Sequence, residues 1–203
     1  MIGEHKIGSA HMNKHMTFDS YQDPSHLYFI TAALCGWRNL FSNPTYANIV
    51  LDSLVWLRNE KRMRLFAFAL MPSHLHAIVK PQERSIGKLL NEFGSYTAHA
   101  ILHQLQNDED KELLAFFSSQ RRDRRHHHSL WQDIQAKNIF STKYLLQKVE
   151  YIHNNPVDKD WKLVDDRADY QYSSACFYDR DVKPIIEIDD MRDYLRDPPP
   201  GAN

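Results

Sequence analysis

The chain is poor in several things. Its 203 residues include only two cysteines, Cys35 and Cys176. Two thiols cannot build a disulfide framework, and they suit a reducing compartment. Six glycines and nine prolines exclude a collagen-like or linker-dominated architecture. No apolar run approaches the roughly 20 residues of a membrane-crossing helix. Residues 1–20 are polar and lack the apolar stretch of a signal peptide. A soluble, cytoplasmic protein without a membrane partner is therefore expected. Neither sign of charge dominates: 25 Lys and Arg face 26 Asp and Glu, for a net charge of −1. That balance excludes a uniformly basic surface and leaves room for a local basic patch.

What is present is a core. The chain is 42% hydrophobic and 12% aromatic, enough for one domain of ordinary size with decorations. Residues 26–34 are dense in aromatic and β-branched side chains and read as a buried strand. Ser42-Asn-Pro44 is a helix-start signal for a helix running to about residue 61. Residues 65–70 and 75–80 read as two strands joined by Met71-Pro-Ser73. Ser85 caps a helix through about residue 105. Residues 106–128 break the pattern, opening acidic and closing strongly basic. Residues 130–134 read as a fourth strand and 141–154 as a further helix that ends before Pro156, because a residue preceding proline disfavours helical geometry. A short helix is expected at 189–195. The order β-α-β-β-α-β is the ferredoxin-like split βαβ arrangement, an α+β antiparallel sheet with helices on one face and an added C-terminal helix. The expected division is an arm at 1–25, a domain at 26–178 and an extension at 179–203.

Two places could carry chemistry. His74 and His76 stand one residue apart on a predicted strand, so both imidazoles fall on one face and Leu75 on the other. Two neutral imidazoles side by side can ligate one divalent metal. With 12 His in the chain such pairs also arise by chance, as His126 and His128 illustrate. The second place is the helix at 141–154. At 100° per residue, Leu145, Leu146, Val149 and Ile152 form an apolar stripe, and Tyr144, Gln147, Lys148, Tyr151 and Asn155 lie opposite. Tyr151 could be a surface aromatic, a binding contact or a nucleophile. Asn155 follows one turn later on the same side. Its amide oxygen suits Mg²⁺ or Mn²⁺, and it could equally be a plain C-cap.

Met71-Pro-Ser-His-Leu-His-Ala-Ile-Val79 and the later tract Val149-Glu-Tyr-Ile-His-Asn-Asn-Pro-Val157 together resemble the single-tyrosine (Y1) HUH transposases, within them the IS200-like, REP-associated branch. Tyr28-Phe-Ile-Thr31, Leu130-Trp-Gln132 and Asp169-Tyr-Gln-Tyr-Ser-Ser174 resemble further family segments in the same order. The resemblance spans about residues 26–178. It implies His74 and His76 as metal ligands with Asn155 as a third, Mg²⁺ or Mn²⁺ as cofactor, and Tyr151 as the nucleophile. It further implies DNA cleavage and strand transfer on hairpin-bearing single-stranded DNA through a 5′-phosphotyrosine, with location at the nucleoid. Many members work as dimers, so a homodimer is one candidate assembly.

A free phenol ionises only near pH ~10, so deprotonation needs help, from Lys148 or from metal-activated water. Gln147 could orient the metal shell. Arg121, Arg122, Arg124 and Arg125, with Lys143, could form a groove for the DNA backbone, and Trp131 and Tyr144 could stack bases. A competing expectation is a domesticated DNA- or RNA-binding module. A third is a metal-dependent hydrolase using water.

Overall fold

The computed structural model of the chain describes residues 26–82, 85–120 and 129–196. The arm at 1–25 and the four arginines Arg121, Arg122, Arg124 and Arg125 lie outside the described residues. Four strands form one antiparallel sheet: β1 (Leu27–Leu34), β2 (Met63–Met71), β3 (His74–Pro81) and β4 (Trp131–Ile139). Their order across the sheet is β2-β3-β1-β4. With α1 (Pro44–Asn59) after β1 and α2 (Ile86–Asn107) after β3, this is the expected ferredoxin-like arrangement.

The caps follow local chemistry. The Asn43 side chain accepts from the backbone N–H of Thr45, with Pro44 in the first turn of α1. Ser85 accepts from the N–H of Lys88 to start α2. Tyr28, Ile30, Ala32 and Leu34 of β1, with Leu75, Ala77 and Val79 of β3, pack against Val50, Leu54 and Leu57 of α1 and Leu89, Leu90 and Phe93 of α2. Gly94 lets α2 approach β4, since a Cβ there would meet Ile134 Cδ1 at 2.6 Å.

The other sheet face is also covered, by α4 (Thr142–Asn154) and by the short helix Met191–Arg196. Leu27, Phe29, Phe66, Ala69 and Ile78 meet Leu145, Val149, Ile152, Met191 and Tyr194 there. This corrects the expectation of helices on one face. It also explains why β1 reads as a continuous apolar run rather than an alternating one: both its faces are buried.

The outer edge of β2 is covered as well. The Leu70 N–H donates to the Tyr172 carbonyl at 2.8 Å, the Ser174 N–H to Phe68 at 3.0 Å, and the Asp189 N–H to Leu65 at 2.6 Å. The tract at 169–174 therefore serves as a short extra edge, satisfying backbone groups an edge strand would expose. On β2 an irregularity at Phe66 shifts the register against β3, so that Phe66 and Ala67 both join the core layer under α4. Among the described residues no helix is long and apolar enough to cross a membrane.

Three local differences from the sequence reading have physical reasons. A helix, α3 (Lys111–Ser119), stands inside the region read as patternless; Asp110 caps it by accepting from the Leu113 N–H at 2.9 Å. The fourth strand runs to Ile139 through its pairing with β1; Asp133, Gln135 and Lys137 occupy its α4-side positions at the sheet edge, so no apolar run marks it in the sequence. Leu146, placed in the apolar stripe, is exposed.

Candidate active site

The strand β3 does what its alternation predicts. Leu75 enters the layer under α1 and α2, while His74 and His76 face the other way, toward α4. Both imidazoles are buried, and their ring centroids lie 4.7 Å apart. Each Nδ1 has a hydroxyl partner: Ser73 Oγ at 3.2 Å for His74, and Thr31 Oγ1 at 3.1 Å for His76. Thr31 is the direct cross-strand partner of His76, so β1 supplies that support. Phe29, one step along the same face, stacks on His76 at 5.4 Å.

Burial sets the charge state. It pushes His74 down to about 4, against a hydrogen bond with the Asn155 side chain that acts the other way. His76 falls to about 3, first through burial and then through the neighbouring His74, with Lys148 adding a smaller push. Both rings are therefore neutral at physiological pH, the form that ligates metals.

Helix α4 brings the second half. Ser141 caps it by accepting from the Tyr144 N–H. Leu145, Val149 and Ile152 point into the sheet, which turns Tyr151 toward the histidine pair. Tyr151 is 47% exposed, yet its hydroxyl lies 3.4 Å from Nε2 of His76, 75 positions earlier in the chain. One chain thus brings the phenol and both imidazoles together. The Lys148 ammonium sits over three rings, 4.7 Å from Phe29, 5.3 Å from Tyr144 and 5.1 Å from Tyr151.

Asn155 reaches the pair by an unexpected route. Helix α4 does end at Asn154, but Asn155 keeps helical geometry (φ −55°, ψ −45°) and the chain tightens into a 3₁₀ turn through Pro156. The conformation that proline disfavours is adopted here. It carries Asn155 one more step around the same face, where its side chain bonds His74.

The other expected residues divide. Lys148 and Tyr144 are at the site. Gln147 and Lys143 are exposed on α4. Trp131 is not brought to the site: it packs on Phe41 and Phe93 on the opposite sheet face, and its indole N–H donates to Thr97 Oγ1 at 3.0 Å. Two tryptophans that sequence reasoning passed over flank His74 instead, Trp37 at 5.3 Å and Trp161 at 5.5 Å between ring centroids. Their positions in loops gave no periodic signal.

The donor set fits a divalent cation. Two neutral imidazoles have their Nδ1 atoms engaged by hydroxyls, the kind of outer support that orients metal-ligating histidines. An amide oxygen stands beside them. Among the described residues no three His, Cys, Asp or Glu side chains converge, so a cation on both imidazoles would take its further protein ligand from the Asn155 amide oxygen. Such a site leaves positions open for water or phosphate.

Neither a scan against protein-family models nor a search of curated proteins finds a match. Among solved structures, the chain is similar to a REP-associated tyrosine transposase bound to a REP hairpin. The TM-score is 0.58 at 19% identity, covering 85% of this chain and 91% of that one. A candidate transposase from Deinococcus radiodurans R1 is more distant, with a TM-score of 0.41 at 15% identity, covering 63% of this chain and 88% of that one. The chain has the fold of a REP-associated tyrosine transposase.

Proposed function

We propose that the chain is a metal-dependent transposase and endonuclease of single-stranded DNA, cleaving and rejoining hairpin-bearing ends through a 5′-phosphotyrosine. The observation that carries this reading is the 3.4 Å approach of an accessible phenol, Tyr151, to a buried neutral imidazole, His76, with His74 alongside. The fold shared with a transposase bound to a REP hairpin supports hairpin DNA as the substrate class.

His74, His76 and the Asn155 amide oxygen would hold Mg²⁺ or Mn²⁺, which supplies Lewis-acid pull on a non-bridging phosphate oxygen. Phe29 and Thr31 fix the His76 ring, and Ser73 fixes His74, so the imidazoles do not reorganise when a phosphate arrives. Tyr151 Oη attacks phosphorus; the Oη–P bond forms and the P–O3′ bond breaks. The phenolic proton leaves to solvent, and the departing 3′-oxygen takes one up. The Lys148 ammonium places positive charge beside the phenol ring and the phosphate it approaches. Attack on the phosphotyrosine by another 3′-hydroxyl reverses the step and joins new ends without an energy cofactor.

The test is direct. Full-length protein is incubated with 5′-labelled and 3′-labelled hairpin oligonucleotides and Mn²⁺. A covalent adduct retaining the label 3′ to the cut, and abolished by Tyr151→Phe, is expected. Binding with no adduct under any metal would make the chain a hairpin-binding module. Cleavage surviving Tyr151→Phe would make it a hydrolase.

A further inference from the structure

The geometry points to a base-stacking clamp made by Trp37 and Trp161, which holds one unpaired nucleobase beside the scissile phosphate. This rests on the reading that single-stranded DNA crosses His74 and His76. The two indoles come from separate loops, one after β1 and one after α4, and converge on the same imidazole. Neither belongs to the hydrophobic clusters that make up the core. Trp37 is 53% exposed, a large apolar ring left in solvent at the rim of a polar site.

The backbone is bent to put it there. Gly36 and Trp37 both adopt positive φ, +63° and +52°. Glycine takes that region freely, but a bulky residue does so at a cost. A costly conformation that leaves a large apolar ring half in solvent is the kind of local strain found at ligand sites. The other indole is held by a tight turn: the Trp161 and Lys162 N–H groups both donate to the Asp158 carbonyl, at 3.0 and 2.9 Å, and Lys162 also has positive φ, +43°.

The occupant follows from what sits next door. A phosphate at His74 carries a nucleoside on each side, and its base falls at the distance of a neighbouring ring. Indole faces stack any base, and only an unpaired base offers both of its faces. The clamp therefore selects single-stranded over paired DNA at the cleavage point, with little preference for sequence.

The test uses the full chain carrying Tyr151→Phe, which binds without reacting. Hairpin oligonucleotides with a single-stranded flank are titrated by fluorescence anisotropy, with an abasic site moved along the flank one position at a time. One position is expected to weaken binding about 10-fold when its base is removed. Trp37→Ala should erase that penalty and Trp37→Phe should keep most of it; Trp161→Ala should act like Trp37→Ala where it folds. A penalty unchanged by Trp37→Ala, or no position-specific penalty at all, overturns the clamp. Adduct formation by the unmutated chain is scored separately. Adduct with a Trp37-independent profile sinks the clamp and leaves the tyrosine chemistry standing. A Trp37-dependent profile with no adduct does the reverse.

Discussion

The hydroxyl of Ser174 lies 2.9 Å from Nε2 of His153, and both groups are buried. The same hydroxyl accepts from the Phe68 N–H at 2.9 Å. One serine therefore ties the edge of β2 to the helix that carries Tyr151, two residues from His153. Arg167 reinforces the outside of that helix, with a forked pair to Asp179 and bonds to Glu150 and Asn154. The tract at 169–174 acts at a distance, by fixing how α4 lies on the sheet.

Ser174→Ala is expected to destabilise the protein by about 2–4 kcal/mol, since it leaves the Phe68 N–H and the His153 ring unpaired in the core. Urea unfolding measures this. The adduct rate of the folded fraction should fall too, because α4 loses its register. A loss under 1 kcal/mol would mean that the serine is not the tie.

How much of this was readable in advance can be judged on α4. The helical period places Tyr151, Lys148 and Asn155 on one side, and strand alternation places His74 with His76. Local spacing carries that information. The wheel also puts Leu146 in the apolar stripe, and there it fails. Leu146 and His153 lie on the same flank of the helix, but the half bearing His153 is covered by the tract at 169–174 and the half bearing Leu146 is not. Which half is covered depends on a segment some way along the chain, and no periodicity encodes it. Trp131 misled for a related reason. A tryptophan near the tyrosine in sequence stands on the opposite face of β4, while the indoles at the site come from loops.

Gly36→Ala should cost about 1–3 kcal/mol, because an L-residue is strained at φ +63°. The added Cβ would also meet Phe116 Cζ at 2.6 Å, a ring already held beneath the Arg38 guanidinium. Thermal unfolding reports the loss. A change within 0.5 kcal/mol would mean that the turn before Trp37 relaxes freely.

Acid should unfold the metal-free protein early. His74, His76 and His153 are held at about 4, 3 and 4, each first by burial, against 6.5 in an unfolded chain. Their folded values are lowered, so the unfolded state binds more protons below pH 6.5. The associated stability is complete above that pH and is lost as pH falls toward 4. Three such groups give a slope approaching 4 kcal/mol per pH unit, against a typical total of about 5–15 kcal/mol. In EDTA, unfolding at pH 5.5 should take up close to three protons, measured by calorimetry in buffers of different ionisation enthalpy. Uptake below one proton would show that these rings are not held neutral.

Metal should add stability through the same residues, and Asn155 separates ligand from bystander. A cation that binds only the native state stabilises it by about 2.7 kcal/mol at a hundred times its dissociation constant, so the thermal midpoint should climb with MnCl₂. Asn155→Ala removes the amide oxygen and should weaken Mn²⁺ about 10-fold, while Asn155→Asp supplies a charged oxygen and should strengthen it. Asn155 is only partly buried, so both variants should match the parent within about 1 kcal/mol in EDTA. The opposite signs in Mn²⁺ are the signature of direct ligation. Equal Mn²⁺ midpoints for parent, Ala and Asp would remove Asn155 from the metal shell and leave it as a hydrogen-bond partner of His74.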